Sequence, residues 1–370
     1  MSKNLKILMS GGGTGGHIFP AVAIANKLKE RFPEAEILFV GAKGRMEMEK
    51  VPQAGFKIEG LWISGFQRKL TADNLSFPFK LISSLCKAKK IVKRFNPDVA
   101  IGTGGYASGP LLFVASRKNI PSLILEQNSF PGVTNKILAK KVNTICVAYN
   151  GMEKYFPKEK LVVTGAPIRK EILHLNTSRE EGLKFFGLNK EKPVLLIIGG
   201  SQGARAINNA IASNLDKIIE TGVQLIWQIG VSSFESPSKL VENSNHSKSI
   251  VVSKFIMEMD KAYAAADIIV SRAGAIAIAE IVAVGKPAIF IPLPSAAEDH
   301  QTKNALSLTE KGAGILLKEP QAGEKITEEI TALVQSSEKR DKIIENLKTF
   351  RTDDATENIV KEVVRLIGEE

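Results

Sequence analysis

Short apolar runs alternate along the chain with stretches whose apolar residues recur every three or four positions, the pattern of parallel strands joined by helices. In the first half the runs predict strands at Lys6–Met9, Glu36–Val40, Val99–Ile101, Ser122–Leu125 and Thr144–Val147, with helices over Ile18–Phe32 and Lys80–Phe95 among the segments between. The pattern breaks at Val162-Val163-Thr164-Gly165-Ala166-Pro167. It restarts at Val194-Leu195-Leu196-Ile197-Ile198, a strand that runs into Gly199-Gly200-Ser201-Gln202-Gly203 and a helix start. That unit repeats the design of the opening one, Lys6–Met9 followed by Gly11-Gly12-Gly13-Thr14-Gly15-Gly16-His17. Further strands are expected at Gln224–Gln228, Ile250–Val252, Asp267–Val270 and Ala288–Ile291. The segment Glu235–Ser249, rich in Ser, Asn and Lys, reads as a surface loop or a poorly ordered helix, and the tail from about Glu324 as polar and helical. The fold class is therefore α/β, with two Rossmann-like halves joined near residue 166.

Composition changes this picture little. An apolar fraction of 44% and a charged fraction of 24% over 370 residues are those of an ordinary soluble protein. No uncharged apolar run nears the ~20 residues of a membrane span, and the N-terminus carries no secretory apolar region. Two cysteines, Cys86 and Cys146, make no metal or redox pattern and fit a reduced, cytoplasmic compartment.

Charge changes it more. The net charge is +11, yet residues 1–165 hold 25 Lys/Arg against 11 Asp/Glu, while the remainder holds 25 against 28. Attraction to an anionic partner thus belongs to the first half, with nucleic acid, an anionic membrane surface or a diphosphate lipid as candidates. No acidic residue lies between Asp73 and Asp98, where Phe77, Leu81, Ile82 and Leu85 precede Lys87, Lys89, Lys90, Lys93 and Arg94. Residues 77–94 suit an interfacial helix on anionic lipid, or a helix packed on the sheet with a basic edge.

The chemistry is expected in the glycine loops. Glycines let backbone approach a ligand, and a helix start offers N–H groups to anionic oxygen. Gly11, Gly13 and Gly16 also fit Gly-x-Gly-x-x-Gly, but the second strand ends Val40-Gly41-Ala42-Lys43, without the acid that a dinucleotide site uses for ribose. His17 places a titratable ring at the helix mouth, as an ionisable participant or a capping residue. A second loop, Gly102-Thr103-Gly104-Gly105-Tyr106, either cradles another phosphate or makes a tight turn. Asn128 in Glu126-Gln127-Asn128 has donors and acceptors suited to a sugar or acetamido group, or to an Asx-turn before Pro131. Glu280 stands in an apolar run; buried, it needs donors such as ribose hydroxyls, and otherwise it faces solvent. No cluster has metal-site spacing.

Gly-Gly-Thr-Gly-Gly-His at 12–17, Glu-Gln-Asn at 126–128, Gly-Ala-Pro-Ile-Arg at 165–169, Gly-Gly-Ser-Gln-Gly-Ala-Arg at 199–205 and Ser-Arg-Ala-Gly-Ala at 271–275 occur in an order that closely resembles the MurG family. These are bacterial UDP-N-acetylglucosamine transferases acting on lipid-linked muramyl-pentapeptide. The resemblance implies the GT-B fold, two Rossmann-like domains with parallel sheets facing across a cleft. It implies an acceptor and membrane-facing domain over 1–166, a UDP-sugar domain over 167–349, and a last helix, about 350–370, returning to the first. It also implies inverting transfer to the 4-hydroxyl of the muramyl sugar of lipid I, giving lipid II, at the cytoplasmic face of the membrane. UDP-N-acetylglucosamine would be a substrate, with no cofactor, metal or nucleic acid. Thr14, Gly15 and Gly16 would lie near the donor sugar and Asn128 would contact its N-acetylglucosamine. Arg169 would meet the donor phosphates, Ser201 the diphosphate, Glu280 the ribose, the Ile256 backbone the uracil and Gln301 the sugar hydroxyls. The family often has two adjacent glutamines where this chain has His300-Gln301. His17 is the expected general base, its ordinary pKa of about 6.5 suiting neutral pH, with Glu126 as the alternative.

Overall fold

The computed structural model describes residues 4–65, 76–200, 203–230 and 235–369. The chain divides into two compact units, residues 1–168 with 352–370, and residues 169–351.

The first unit is built on seven parallel strands: β1 (Lys6–Ser10), β2 (Glu36–Ala42), β3 (Lys57–Leu61), β4 (Val99–Gly102), β5 (Ser122–Glu126), β6 (Thr144–Val147) and β7 (Leu161–Val163). Their spatial order is β3-β2-β1-β4-β5-β6-β7. Register is set by pairs such as Leu8 with Leu38 on one side and Ala100 on the other. Because both faces are covered, the central strands are apolar throughout rather than alternating. Ile7, Met9, Ile101 and Leu125 enter one core, and Leu8, Ala100 and Ile124 the other. The first core is closed by α1 (Gly15–Arg31) and, from the far end of the chain, by a helix over Ala355–Ile367. Ile359, Val360, Val363 and Val364 of that last helix are buried there, worth together roughly 6–12 kcal/mol at the usual ~1.5–3 kcal/mol per side chain.

The second unit carries six parallel strands: β8 (Val194–Ile198), β9 (Gln224–Gln228), β10 (Ile250–Ser253), β11 (Ile268–Ser271), β12 (Ala288–Phe290) and β13 (Ile315–Leu316), in the order β10-β9-β8-β11-β12-β13. In both sheets the strand order reverses beside the first strand of the unit, between β1 and β4 and between β8 and β11. Ligands of open parallel sheets bind at the carboxyl ends of strands at such a switch point. The four glycine-bearing loops leave these four strands.

Three strands escape the apolar-run reading: β3, whose sequence Lys-Ile-Glu-Gly-Leu is half polar, and the very short β7 and β13 at sheet edges. Helix α1 starts three residues before the predicted Ile18, because two glycines form its first turn. The segment expected as a loop or poorly ordered helix holds a helix over Glu235–Glu242. Among the described residues no helix is long and apolar enough to cross a membrane.

The helix over Phe77–Phe95 packs Ser84, Ala88, Ile91 and Val92 inward. Phe77 and Leu81 rest against the core, as a helix packed on the sheet requires; the exposed apolar side chains are Phe79 and Ile82, with Trp62 also exposed on the chain that follows β3. Three of its cations, spaced seven apart, turn toward β3 and the segment after it. Lys80 reaches the Ser64 hydroxyl at 3.2 Å, Lys87 the Gly60 carbonyl at 2.8 Å, and Arg94 pairs with Glu59. Lys89, Lys90 and Lys93 face solvent.

Candidate active site

In the first unit the loop after β1 turns at Gly13, whose φ of +85° favours glycine. Its position is set by a residue that no motif marks. Glu47 is fully buried; its carboxylate accepts from the Gly13 N–H at 2.9 Å and from the Ala42 N–H at 3.0 Å. Gly12 is glycine because that carboxylate fills the space a Cβ would need. The second glycine loop braces the first: the Gly12 N–H donates to the Gly104 carbonyl at 3.2 Å, and a Cβ on Gly105 would lie 2.3 Å from the Gly12 carbonyl oxygen. Gly104 and Gly105, with φ of +106° and +93°, thus serve close packing of loop on loop. Thr14 and Gly16 stay exposed at the start of α1, beside half-buried Gly15 and His17.

His17 is oriented by backbone. Its Nδ1 lies 2.9 Å from the Thr103 carbonyl, which can only accept, so Nδ1 carries the proton and the lone pair of the neutral ring is on Nε2. The Thr103 hydroxyl donates in turn to the His17 carbonyl at 2.7 Å. Gln127, also buried, donates through Nε2 to the Thr103 carbonyl at 2.8 Å and approaches the Gly16 carbonyl at 3.4 Å. The Glu-Gln-Asn segment is thereby fastened to the His17 loop. Glu126, the alternative base, spends its carboxylate on four donors: the Asn128 N–H and Nδ2, the Gly132 N–H and the Asn135 Nδ2, all within 3.1 Å. It organises the loop that carries Asn128.

In the second unit Gly199, Gly200, Gly203, Ser271, Arg272, Gly274 and Gln301 line a cavity of roughly 530 Å³ at the carboxyl ends of β8 and β11. Ser201 lies outside the described residues. Gln301 accepts from the Leu293 N–H at 2.9 Å. Glu298 and Asp299, with φ of +54° and +51°, turn the chain sharply into its helix, His300–Thr309. Buried Gln228 ties two further parts together, donating to the Gly200 carbonyl at 3.2 Å and accepting from the Ile256 N–H at 3.0 Å. That N–H is thereby engaged within the protein.

The structure brings Arg169 and Glu280 to each other. The guanidinium forms a two-pronged bond to the buried carboxylate, 2.8 and 3.1 Å, and the Tyr263 hydroxyl adds a third donor at 3.0 Å. Burial opposes the charge on Arg169, yet the adjacent Glu280 holds its pKa above the usual arginine range. Burial first, and the Glu280 charge second, push the Tyr263 phenol well above its ordinary pKa. Glu280 is buried, which overturns the solvent-facing reading, and the donors it requires are supplied by Arg169 and Tyr263. Among the described residues no three His, Cys, Asp or Glu side chains are grouped so as to hold a metal ion.

Two parallel-sheet Rossmann-like domains with glycine loops at both switch points define the GT-B fold. The calicheamicin glycosyltransferase CalG4 shares this fold, with a TM-score of 0.71 over 100% of this chain and 99% of its own, at 15% identity. Residues 7–147 match the family model of the glycosyltransferase family 28 N-terminal domain, and residues 194–359 that of the C-terminal domain. The chain belongs to the MurG family of glycosyltransferases within family 28. A relative from Cytophaga hutchinsonii, named UDP-N-acetylglucosamine–N-acetylmuramyl-(pentapeptide) pyrophosphoryl-undecaprenol N-acetylglucosamine transferase, is 52% identical over 99% of this chain and 98% of its own. The crystal structure of MurG from Acinetobacter baumannii superposes with a TM-score of 0.80 at 28% identity, covering 98% of this chain and 99% of that one.

Proposed function

We propose that the protein transfers N-acetylglucosamine from UDP-N-acetylglucosamine to the 4-hydroxyl of the muramyl sugar of lipid I, giving lipid II. The observation that carries this reading is the 52% identity, over nearly the whole of both chains, to a transferase named for that donor and acceptor.

The reaction is a single inverting displacement. The acceptor oxygen forms a bond to the anomeric carbon as the bond from that carbon to the diphosphate oxygen breaks. The hydroxyl proton passes to a base, and UDP departs with the bonding pair. His17 is that base: the Thr103 carbonyl holds Nδ1 protonated, so Nε2 is the atom that takes the proton. Gly15 and Gly16 offer helix N–H groups to the donor sugar, with Thr14 beside them, and Asn128 contacts its acetamido group. Residues 167–349 hold UDP. Gly199, Gly200 and Ser201 take the diphosphate, the Ile256 backbone meets the uracil, and Gln301 meets the sugar hydroxyls. Glu280 takes the ribose and Arg169 the phosphates, each exchanging part of its bond to the other for the ligand. Leaving-group charge is met by fixed donors, which need no reorganisation as the bond breaks.

Residues 1–166 take the acceptor and meet the cytoplasmic face of the membrane peripherally. Exposed Phe79 and Ile82 supply apolar contact, and Lys89, Lys90 and Lys93 attraction to anionic lipid.

The test is transfer of labelled sugar from UDP-N-acetylglucosamine to lipid I, with a diacylglycerol as the rival acceptor. His17→Ala is expected to keep donor affinity and lose turnover by about 10²–10⁴, the range of general base catalysis. Unchanged turnover removes His17 as the base, and transfer to diacylglycerol in preference to lipid I overturns the assignment.

A further inference from the structure

Gln127 stands in the Glu-Gln-Asn segment between two residues with evident work, and it is shut away from solvent. It is 1% exposed, and its Oε1 is buried without a hydrogen-bond partner. All its polar contact therefore runs through Nε2, which faces two carbonyl oxygens, those of Thr103 and Gly16. A buried amide kept with one end unsatisfied marks a site where the other end matters.

Both carbonyls bear on His17. The Thr103 oxygen is the acceptor that fixes the imidazole's protonated nitrogen. The Gly16 carbonyl belongs to the peptide leading into His17, and its ordinary helical donor would be the N–H of residue 20. Residue 20 is a proline and has none, so the first turn of α1 carries a carbonyl that the helix cannot satisfy. Gln127 supplies a donor there from 111 positions away.

We propose that Gln127 is a positioning residue for His17, its amide fixing the Thr103 and Gly16 carbonyls that set the ring's tautomer and place. The inference rests on the reading of His17 as the base. In many enzymes a carboxylate orients the base histidine; here a neutral peptide carbonyl does so, and Gln127 keeps that carbonyl from turning.

The test combines kinetics with spectroscopy on the full chain. Gln127→Met keeps the side chain's length and removes both polar ends. Gln127→Glu keeps its shape and sets an acceptor against two acceptors. For either variant the expected result is a kcat about tenfold lower, equivalent to about 1.4 kcal/mol, with the KM for UDP-N-acetylglucosamine within twofold of the parent. Nitrogen-15 NMR of the imidazole is expected to show a single Nδ1–H tautomer in the parent and a mixture in the variants. In a His17→Ala background, Gln127→Met is expected to lower turnover no further, because the two residues act as one unit. An undiminished tenfold loss in that background, or an unchanged tautomer in both variants, overturns the proposal. If His17→Ala alone keeps parental turnover, it is the base reading that fails, and the tautomer measurement still decides whether Gln127 orients the ring.

Discussion

Glu47 is the residue whose removal tests how the first glycine loop is held. The side chain is fully buried, and each carboxylate oxygen takes one backbone N–H, Gly13 at 2.9 Å and Ala42 at 3.0 Å. A hydrogen bond to a charged acceptor contributes about 1.5–3 kcal/mol. Glu47→Ala removes both acceptors and leaves two N–H groups to water that enters the vacated space. With a tenfold change for each ~1.4 kcal/mol, the Gly13 and Ala42 amides should each exchange with solvent about 10–100-fold faster, while amides in the middle of β1 keep their protection. Glu47→Gln carries a sharper signature. An amide has one acceptor oxygen and turns N–H toward the other donor, so one of the two backbone groups should stay protected and the other should not. Residue-resolved hydrogen exchange reads both variants. Parental exchange at Gly13 and Ala42 in Glu47→Ala refutes the idea that this carboxylate anchors the loop. Uniform loss across β1 shows instead that the substitution has damaged the sheet.

Two further outcomes follow from the same kind of accounting. The phenol of Tyr263 stays protonated beyond the ordinary pKa of ~10, so native Tyr263→Phe should give the same ultraviolet tyrosine titration as the parent. Because the unfolded chain would release that proton first, Tyr263 favours the folded state below about pH 10 and ceases to as pH rises past it; the parent should lose stability more steeply there than the variant. Replacing Phe79 and Ile82 together by serine should weaken sedimentation with vesicles rich in anionic lipid by about tenfold or more, and should leave transfer to a detergent-solubilised acceptor unchanged. Equal losses in both assays would place these side chains in the fold rather than at the membrane.

Much of the fold is legible because parallel strands covered on both faces must be apolar without interruption, and chain segments such as Val194–Ile198 advertise that plainly. Loops at strand ends are legible for the same reason, since glycines there break an otherwise continuous pattern. What escapes is contact between residues far apart in sequence whose own types carry no signal. Glu47 reads as one of many exposed glutamates in a helix start until its carboxylate is seen beneath Gly13, 34 positions away. Arg169 and Glu280 each suggested a ligand, and pattern alone could not reveal that they meet each other across 111 positions. The apolar stripe of Phe77 and Leu81 was visible, but periodicity does not say which side of a helix meets the core. The proline at position 20 was the one local clue to Gln127, since a helix missing an N–H needs a donor from elsewhere.

The return of the last helix to the first unit has a consequence for how the chain is made. Ile359, Val360, Val363 and Val364 close the same core as Ile7, Met9, Ile24 and Leu28. The unit whose strands are made before residue 169 is therefore completed only after the whole of residues 169–351 has been made, and it waits through that stretch with one side of its sheet unsealed. The second domain, uninterrupted from residue 169 to residue 351, has no such wait. A chain cut just before this helix, at about residue 354, would keep its second domain whole, and its defect would appear at the opposite end of the sequence from the missing residues.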